Sequence, residues 1–179
     1  MRNLELKAAY ADFDHARAVV RGMGGRFEHV ERQEDVYFHV RSGRLKVRRR
    51  VIARPDGETR TAELVGYVRA DQSGFRGSEY TVVPVQDADV LEAALRATLG
   101  VFKVVRKRRE VHLYRNARVH LDEVEGLGKY LEIEIVLSSP EEETAAGGFS
   151  AELTRRFEID PGEMISGSYS DLLDSSSPN

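Results

Sequence analysis

Two short stretches set polar or charged side chains on alternate residues. In N-L-E-L-K, positions 3 to 7, Asn3, Glu5 and Lys7 alternate with Leu4 and Leu6. In L-E-I-E, positions 131 to 134, Glu132 and Glu134 alternate with Leu131 and Ile133. Side chains on a strand point to opposite faces in turn, so each stretch read as a strand has one polar and one apolar face. The parity recurs: Arg44, Lys46, Arg48 and Arg50 oppose Leu45, Val47 and Val51, and Arg118, His120 and Asp122 oppose Val119 and Leu121. Glu63, Val65, Tyr67 and Arg69 share a face opposite Leu64, Gly66 and Val68. Lys107 and Arg109 also share one, although Arg106, Arg108 and Glu110 load the other side of their stretch.

One such strand is the wet side of an antiparallel sheet. Five of them, with cations and carboxylates in blocks, point to a closed barrel whose interior is polar and whose apolar outside is covered by helices. Buried charges cost several kcal/mol each unless paired or liganded. An interior of both signs therefore predicts a highly charged ligand together with a metal. Mg²⁺ or Mn²⁺ takes carboxylate oxygens and water. Glu132 and Glu134 reach one ion, with Glu5 and Asp122 as further ligands. Lys7, Lys46, Arg48, Arg69, Lys107 and Arg109 are the candidate phosphate clamps, the arginines as bidentate forks. Lys46 equally suits the rim of the opening. Asp122 and Lys7 are the candidate catalytic groups, Asp122 as metal ligand, general base or partner for Arg109. His120 reads as a packed or hydrogen-bonded strand histidine, and Tyr67 and Tyr80 as base-stacking or wall aromatics.

The elements that must position these residues are legible in outline. Asp12 caps a helix to about Arg21, stopped by G-M-G-G. Strands follow at 33–40, 44–52, 60–70 and 78–84, with turns at Ser42-Gly43 and A-R-P-D-G-E-T and a loop at D-Q-S-G-F-R-G. Asp87 or Asp89 starts an amphipathic helix ending at Gly100, with Leu91, Leu95 and Leu99 four apart. Strands 102–114, 118–124 and 130–137 come next, then a helix from Pro140 to about Phe157 and a short helical segment at 163–174. The expectation is an α+β domain of about eight mostly antiparallel strands, spanning 1–174, with a disordered tail at 175–179.

Composition narrows the classes. The 179 residues are 41% hydrophobic and 32% charged, as in an ordinary globular domain. Cysteine is absent, which excludes thiolate chemistry and leaves a metal only oxygen or histidine ligands. No apolar run suggests a leader or membrane span, so a cytoplasmic protein is expected. The net charge of −3 hides two basic runs, R-L-K-V-R-R-R and K-V-V-R-K-R-R, each with five cations in seven positions. Such concentration in a mildly acidic chain suggests a local anion site rather than a nucleic-acid surface.

The ordered series of motifs resembles the CYTH superfamily, the triphosphate tunnel metalloenzymes. N-x-E-x-K at 3–7 is similar to that family's E-x-E-x-K signature, and Q-E-D-V-Y-F at 33–38 to its second-strand segment. G-R-L-K-V-R at 43–48, Y-V-R at 67–69 with S-E-Y at 78–80, and V-R-K-R-R at 105–109 resemble its basic strands and central hairpin. H-L-D-E-V-E-G-L-G at 120–128 with L-E-I-E resembles its acidic hairpin, and S-Y-S-D-L-L at 168–173 its closing helix. Asn3 in place of the first glutamate, Val68 within Y-V-R and Lys129 after G-L-G depart from the pattern. The resemblance implies an eight-stranded antiparallel tunnel, a requirement for Mg²⁺ or Mn²⁺, and a small-molecule triphosphate or other organic phosphate as partner. It implies class IV adenylate cyclase-like chemistry, ATP to cyclic AMP and pyrophosphate, or triphosphate hydrolysis. A non-catalytic nucleotide or polyphosphate sensor and a specialised-metabolism enzyme are the alternatives, and a homodimer stays open.

Overall fold

The computed structural model describes residues 2–54, 57–69 and 74–175, without the side chains of Arg2, Arg69, Arg76, Ser78, Glu79, Asp174 and Ser175. The eight strands are β1 (Arg2–Ala9), β2 (Arg26–Phe38), β3 (Arg44–Arg54), β4 (Gly57–Arg69), β5 (Arg76–Pro84), β6 (Val101–Tyr114), β7 (Ala117–Val124) and β8 (Gly128–Leu137). The helices are α1 (Phe13–Gly22), α2 (Ala88–Leu99), α3 (Pro140–Arg156) and α4 (Tyr169–Ser175). All strand pairs are antiparallel, in the order β1-β5-β4-β3-β2-β6-β7-β8 and back to β1.

The ring is tight on one flank and thin on the other. β1 pairs with β8 over its whole length, Arg2↔Leu137 to Ala9↔Tyr130. With β5 it pairs only from Arg2↔Glu79 to Glu5↔Arg76. The expected closed barrel is thus a curled sheet that meets itself along a short seam. Past Glu5 the free edge of β1 is taken by the C-terminal chain: Ile165 N donates to Lys7 O at 2.8 Å, and Ala8 bridges Met164.

Parity turns the sheet inside out, polar inward. Leu6, Ala8, Val119, Leu121, Leu131, Ile133 and Ile135 point outward and are buried under Phe13, Ala16 and Val20 of α1 and Phe149 and Leu153 of α3. Leu91 and Leu95 of α2 cover Val36, Phe38 and Val47 in the same way. Caps place these helices: the Asp12 carboxylate accepts from His15 N, that of Asp87 from Val90 N, and Ser139 Oγ from Glu142 N. Pro140 at the start of α3 and three glutamates in its first turn suit a helix N-terminus. The β2–β3 turn requires Gly43, whose φ is +68° and where a Cβ would lie 2.6 Å from Tyr67 O.

Four segments differ from the sequence expectation. β2 begins at Arg26 rather than residue 33 and β4 at Gly57 rather than 60, because each hydrogen bonds along its whole partner. The segment expected to be helical over 163–174 is helical only from Tyr169, since Met164 and Ile165 are extended along β1. The expected disordered tail begins one residue inside α4, and 176–179 lie outside the described residues, as do 55–56 and 71–73 of the two expected loops and residue 70 at the end of the expected strand 60–70. Among the described residues, no helix is long and apolar enough to cross a membrane.

Candidate active site

The inward side chains surround a cavity of about 540 Å³. One end is capped from within by the C-terminal chain. The Tyr169 ring lies across this end, with Lys7 Nζ 4.4 Å and Lys107 Nζ 5.0 Å from its centroid and Tyr130 edge-on at 5.2 Å. Its hydroxyl donates to Asp122 Oδ2 at 2.8 Å. Asp171 anchors the start of α4 by accepting from Arg44 at 2.7 Å. The other end is a mouth edged by Glu28, His29, Glu63, Tyr80, Leu113 and Arg118.

Two carboxylates aim the cations. Asp35 on β2 accepts Nε and Nη2 of Arg48 at 2.7 and 2.8 Å, and Lys46 Nζ at 2.7 Å. Asp122 on β7 accepts Nε and Nη2 of Arg109 at 2.6 Å each, and Lys107 Nζ at 3.0 Å. Such forks fix a guanidinium in one orientation. Burial alone would raise both acids; Arg48 and Lys46 hold Asp35 far below the usual carboxylate range, and Arg109 and Lys107 do so for Asp122. Burial, with Arg109 alongside, pushes the Lys107 ammonium down to about 8. Lys46 is lowered by burial and by Arg48.

The carboxylates cluster on the β1–β8–β7 wall. Glu132 accepts from Lys7, from Arg109 Nη2 at 2.9 Å and meets His120 Nδ1 at 3.3 Å. Burial opposes its ionisation, but Arg109 and Lys7 hold it well below the usual range. Glu5 stands directly opposite Glu134 across β1–β8. Like charges in that relation repel, and a divalent ion held between them would offset the repulsion. One ligand atom each from His120, Glu132 and Glu134 lie within 4.8 Å of one another. Hard oxygens and an imidazole at that spacing fit a divalent cation.

The site residues read from the sequence are placed as follows. Glu5, Lys7, Lys46, Arg48, Lys107, Arg109, Glu132 and Glu134 line one cavity. Asp122 is fully buried behind the Lys107–Arg109 pair, its oxygens occupied by them and by Tyr169. Arg69 ends β4, and its side chain lies outside the described residues.

Sequence reasoning passed over the inward row of β2, Glu31, Gln33, Asp35 and Tyr37. The whole run Glu31–Asp35 is polar, so no alternation shows there. The signal was the register itself: Asp35 pairs with Arg48 across β2–β3. At the mouth Glu31 takes Gln33 Nε2, and Glu63 takes Arg50. The other wall is apolar, with Val65 and Tyr67 of β4 in register with Val82 and Tyr80 of β5.

Comparison with known proteins agrees with this architecture. Among curated proteins, none matches the chain. The PH1012 protein of Pyrococcus horikoshii is similar in structure, with a TM-score of 0.74 and 26% identity over 95% of this chain and 98% of its own. An adenylate cyclase candidate from Vibrio parahaemolyticus shares the fold at a TM-score of 0.68 and 16% identity, covering 96% and 97% of the two chains. HpAC1 of Hippeastrum, with a dominant triphosphatase activity, shares it at 0.61 and 14% identity over 99% and 97%. The CYTH domain model matches residues 1–169, which take in every strand of the inward-polar barrel, and the chain belongs to the CYTH domain family.

Proposed function

We propose that this protein is a divalent-metal-dependent enzyme that cleaves a phosphoanhydride bond of an organic triphosphate bound in the barrel. The observation that carries this reading is the division of the cavity wall. Four cations fixed by Asp35 and Asp122 stand at the capped end, and the Glu5, Glu132 and Glu134 carboxylates stand beside them. A polyanion enters such a chamber with its terminal phosphates toward Lys46, Arg48, Lys107 and Arg109.

Glu134 and Glu5, with Glu132, would hold Mg²⁺ or Mn²⁺, which supplies neutralisation of phosphoryl charge. The chain's own part is positional. Arg48 and Arg109 are set before the substrate arrives, so no side-chain entropy is lost in orienting them. Lys7, bonded to Glu132, places a further ammonium at the end of the phosphate row. Asp122 serves by holding Arg109 and Lys107 rather than by touching substrate.

The same wall accommodates two reactions. In hydrolysis water attacks the terminal phosphorus, the bridging P–O bond breaks with the diphosphate as leaving group, and the attacked phosphorus ends as orthophosphate. In cyclisation the ribose 3′-hydroxyl attacks the α-phosphorus and pyrophosphate leaves. The Tyr67–Tyr80 wall favours a substrate with a planar organic part in either case. Phosphorus NMR of the protein with Mg²⁺ or Mn²⁺ and ATP, inorganic triphosphate or thiamine triphosphate distinguishes them. Pyrophosphate with cyclic AMP marks a cyclase, and orthophosphate abolished by Glu134→Ala marks a triphosphatase. Tight binding without any turnover would refute the enzyme reading and leave a sensor.

A further inference from the structure

His120 has no part in the scheme above, yet it stands inside it. It is 4% exposed, in register with Glu132 across β7–β8, one inward pair along from Arg118↔Glu134. Its ring meets Glu132 Oε1 through Nδ1 at 3.3 Å. Glu132 already accepts from Lys7 and from Arg109 Nη2, so Oε1 faces the ring as an acceptor and the tautomer with the hydrogen on Nδ1 completes the contact. That tautomer leaves the ring's lone pair on Nε2. An imidazole that donates one N–H to a carboxylate and keeps the other nitrogen as a donor pair is arranged as metal-bound histidines are.

A second observation points to a ligand at the same wall. Asn3 is 3% exposed and lines the cavity two residues before Glu5, on the same face of β1. Its Oδ1 is buried and has no hydrogen-bond partner among the described residues. A buried acceptor left so is costly in a protein interior. A cation near the Glu5–Glu134 pair would satisfy it.

We propose that His120 binds, through Nε2, the same ion as Glu134, that Glu132 orients the imidazole, and that the site therefore prefers a first-row transition ion to Mg²⁺. This rests on the metal dependence proposed above. Magnesium takes oxygen and water and gains little from an imidazole, whereas Co²⁺, Fe²⁺ and Zn²⁺ bind nitrogen well. The neutral Asn3 in the position next to Glu5 lowers the negative charge of the site and so weakens the hold on an ion that is bound by charge alone.

The test uses metal-free full-length protein titrated calorimetrically with Co²⁺ and with Mg²⁺, and proton NMR of the Co²⁺ form. Co²⁺ is expected to bind at least about tenfold more tightly than Mg²⁺. The Co²⁺ form should show a hyperfine-shifted, solvent-exchangeable imidazole N–H that survives in His29→Asn. His120→Asn should remove that resonance and weaken Co²⁺ about tenfold or more, with little change for Mg²⁺. Because His120 is buried, the wild-type resonance decides the matter even if that variant fails to fold. Co²⁺ bound without a shifted imidazole resonance, or no more tightly than Mg²⁺, would overturn the inference and leave a carboxylate site with the proposed function intact. Failure of both ions to bind, with and without inorganic triphosphate, would overturn the inference and the metal-dependent function together.

Discussion

Arg109 and Asp122 face one another as two forks, Nε on Oδ1 and Nη2 on Oδ2 at 2.6 Å each, with no exposed surface on the aspartate. Asp122→Asn takes from buried Lys107 the carboxylate it pairs with and leaves Arg109 with Glu132. A loss of about 3–5 kcal/mol in unfolding free energy is expected, together with weakened triphosphate binding. Mn²⁺ affinity without nucleotide should hardly change. Denaturant melts and a Mn²⁺ titration check both, and loss of Mn²⁺ binding at unchanged stability would instead place Asp122 among the metal ligands.

Lys107 gives the site a pH limit. Its value falls from the ordinary 10.5 to about 8 through burial and the neighbouring Arg109. The folded state therefore holds this proton less tightly than the unfolded chain, so this group's cost to stability is present below about 8 and fades as pH rises toward 10.5. Ligand binding runs the opposite way, because phosphate needs the ammonium. Calorimetry should show triphosphate affinity falling as pH rises through about 8, with proton uptake on binding near that value. Lys107→Arg should flatten the profile, since a guanidinium stays charged.

Glu5 and Glu134 oppose one another across β1–β8. Removing one charge relieves repulsion of about 0.2–1 kcal/mol, so Glu134→Gln should melt slightly higher than wild type in chelator. The order should reverse in millimolar Mn²⁺, where only the wild type gains from binding. Paired thermal melts, with and without metal, test this, and equal shifts in the two proteins would remove Glu134 from the ion.

Outside the barrel, Arg17 of α1 clasps Glu110 of β6 at 2.9 and 3.0 Å, with Arg108 at 2.9 Å on the same carboxylate. Burial works against this acid, but Arg17 and Arg108 bring it down to about 2. Its contribution is complete above the ordinary 4.5 and disappears as pH falls toward 2. Glu110→Gln should cost about 1–3 kcal/mol at neutral pH. That difference from wild type should shrink between pH 5 and pH 2 in equilibrium unfolding.

The strands that carry clean alternation, such as Glu132 and Glu134 between Leu131, Ile133 and Ile135, were legible because each apolar residue meets a helix and each polar one meets the cavity. β6 looked mixed for a physical reason. Part of its outer face lies in an open groove, where Arg106 pairs with Glu34, so charges stand on both sides there. β2 hid its site residues inside a continuous polar run, and only pairing with Arg48 gives Asp35 a role. Tyr169 was out of reach of periodicity altogether. Its place depends on Met164 and Ile165 completing the edge that β5 leaves unpaired, a contact between opposite ends of the chain.

Among the described residues, that cap across the Lys7–Lys107 end makes the barrel a blind chamber. A guest that enters must leave by the same door, so whichever fragment lies deepest departs last. The floor also acts as a ruler. On the proposed function, a phosphate chain would touch it with a terminus, and a long polymer would be read from its end rather than threaded through. The distance from Tyr169 to the mouth, rather than any one contact, would then set how many phosphates the proposed substrate has inside before the rest of the molecule stands outside.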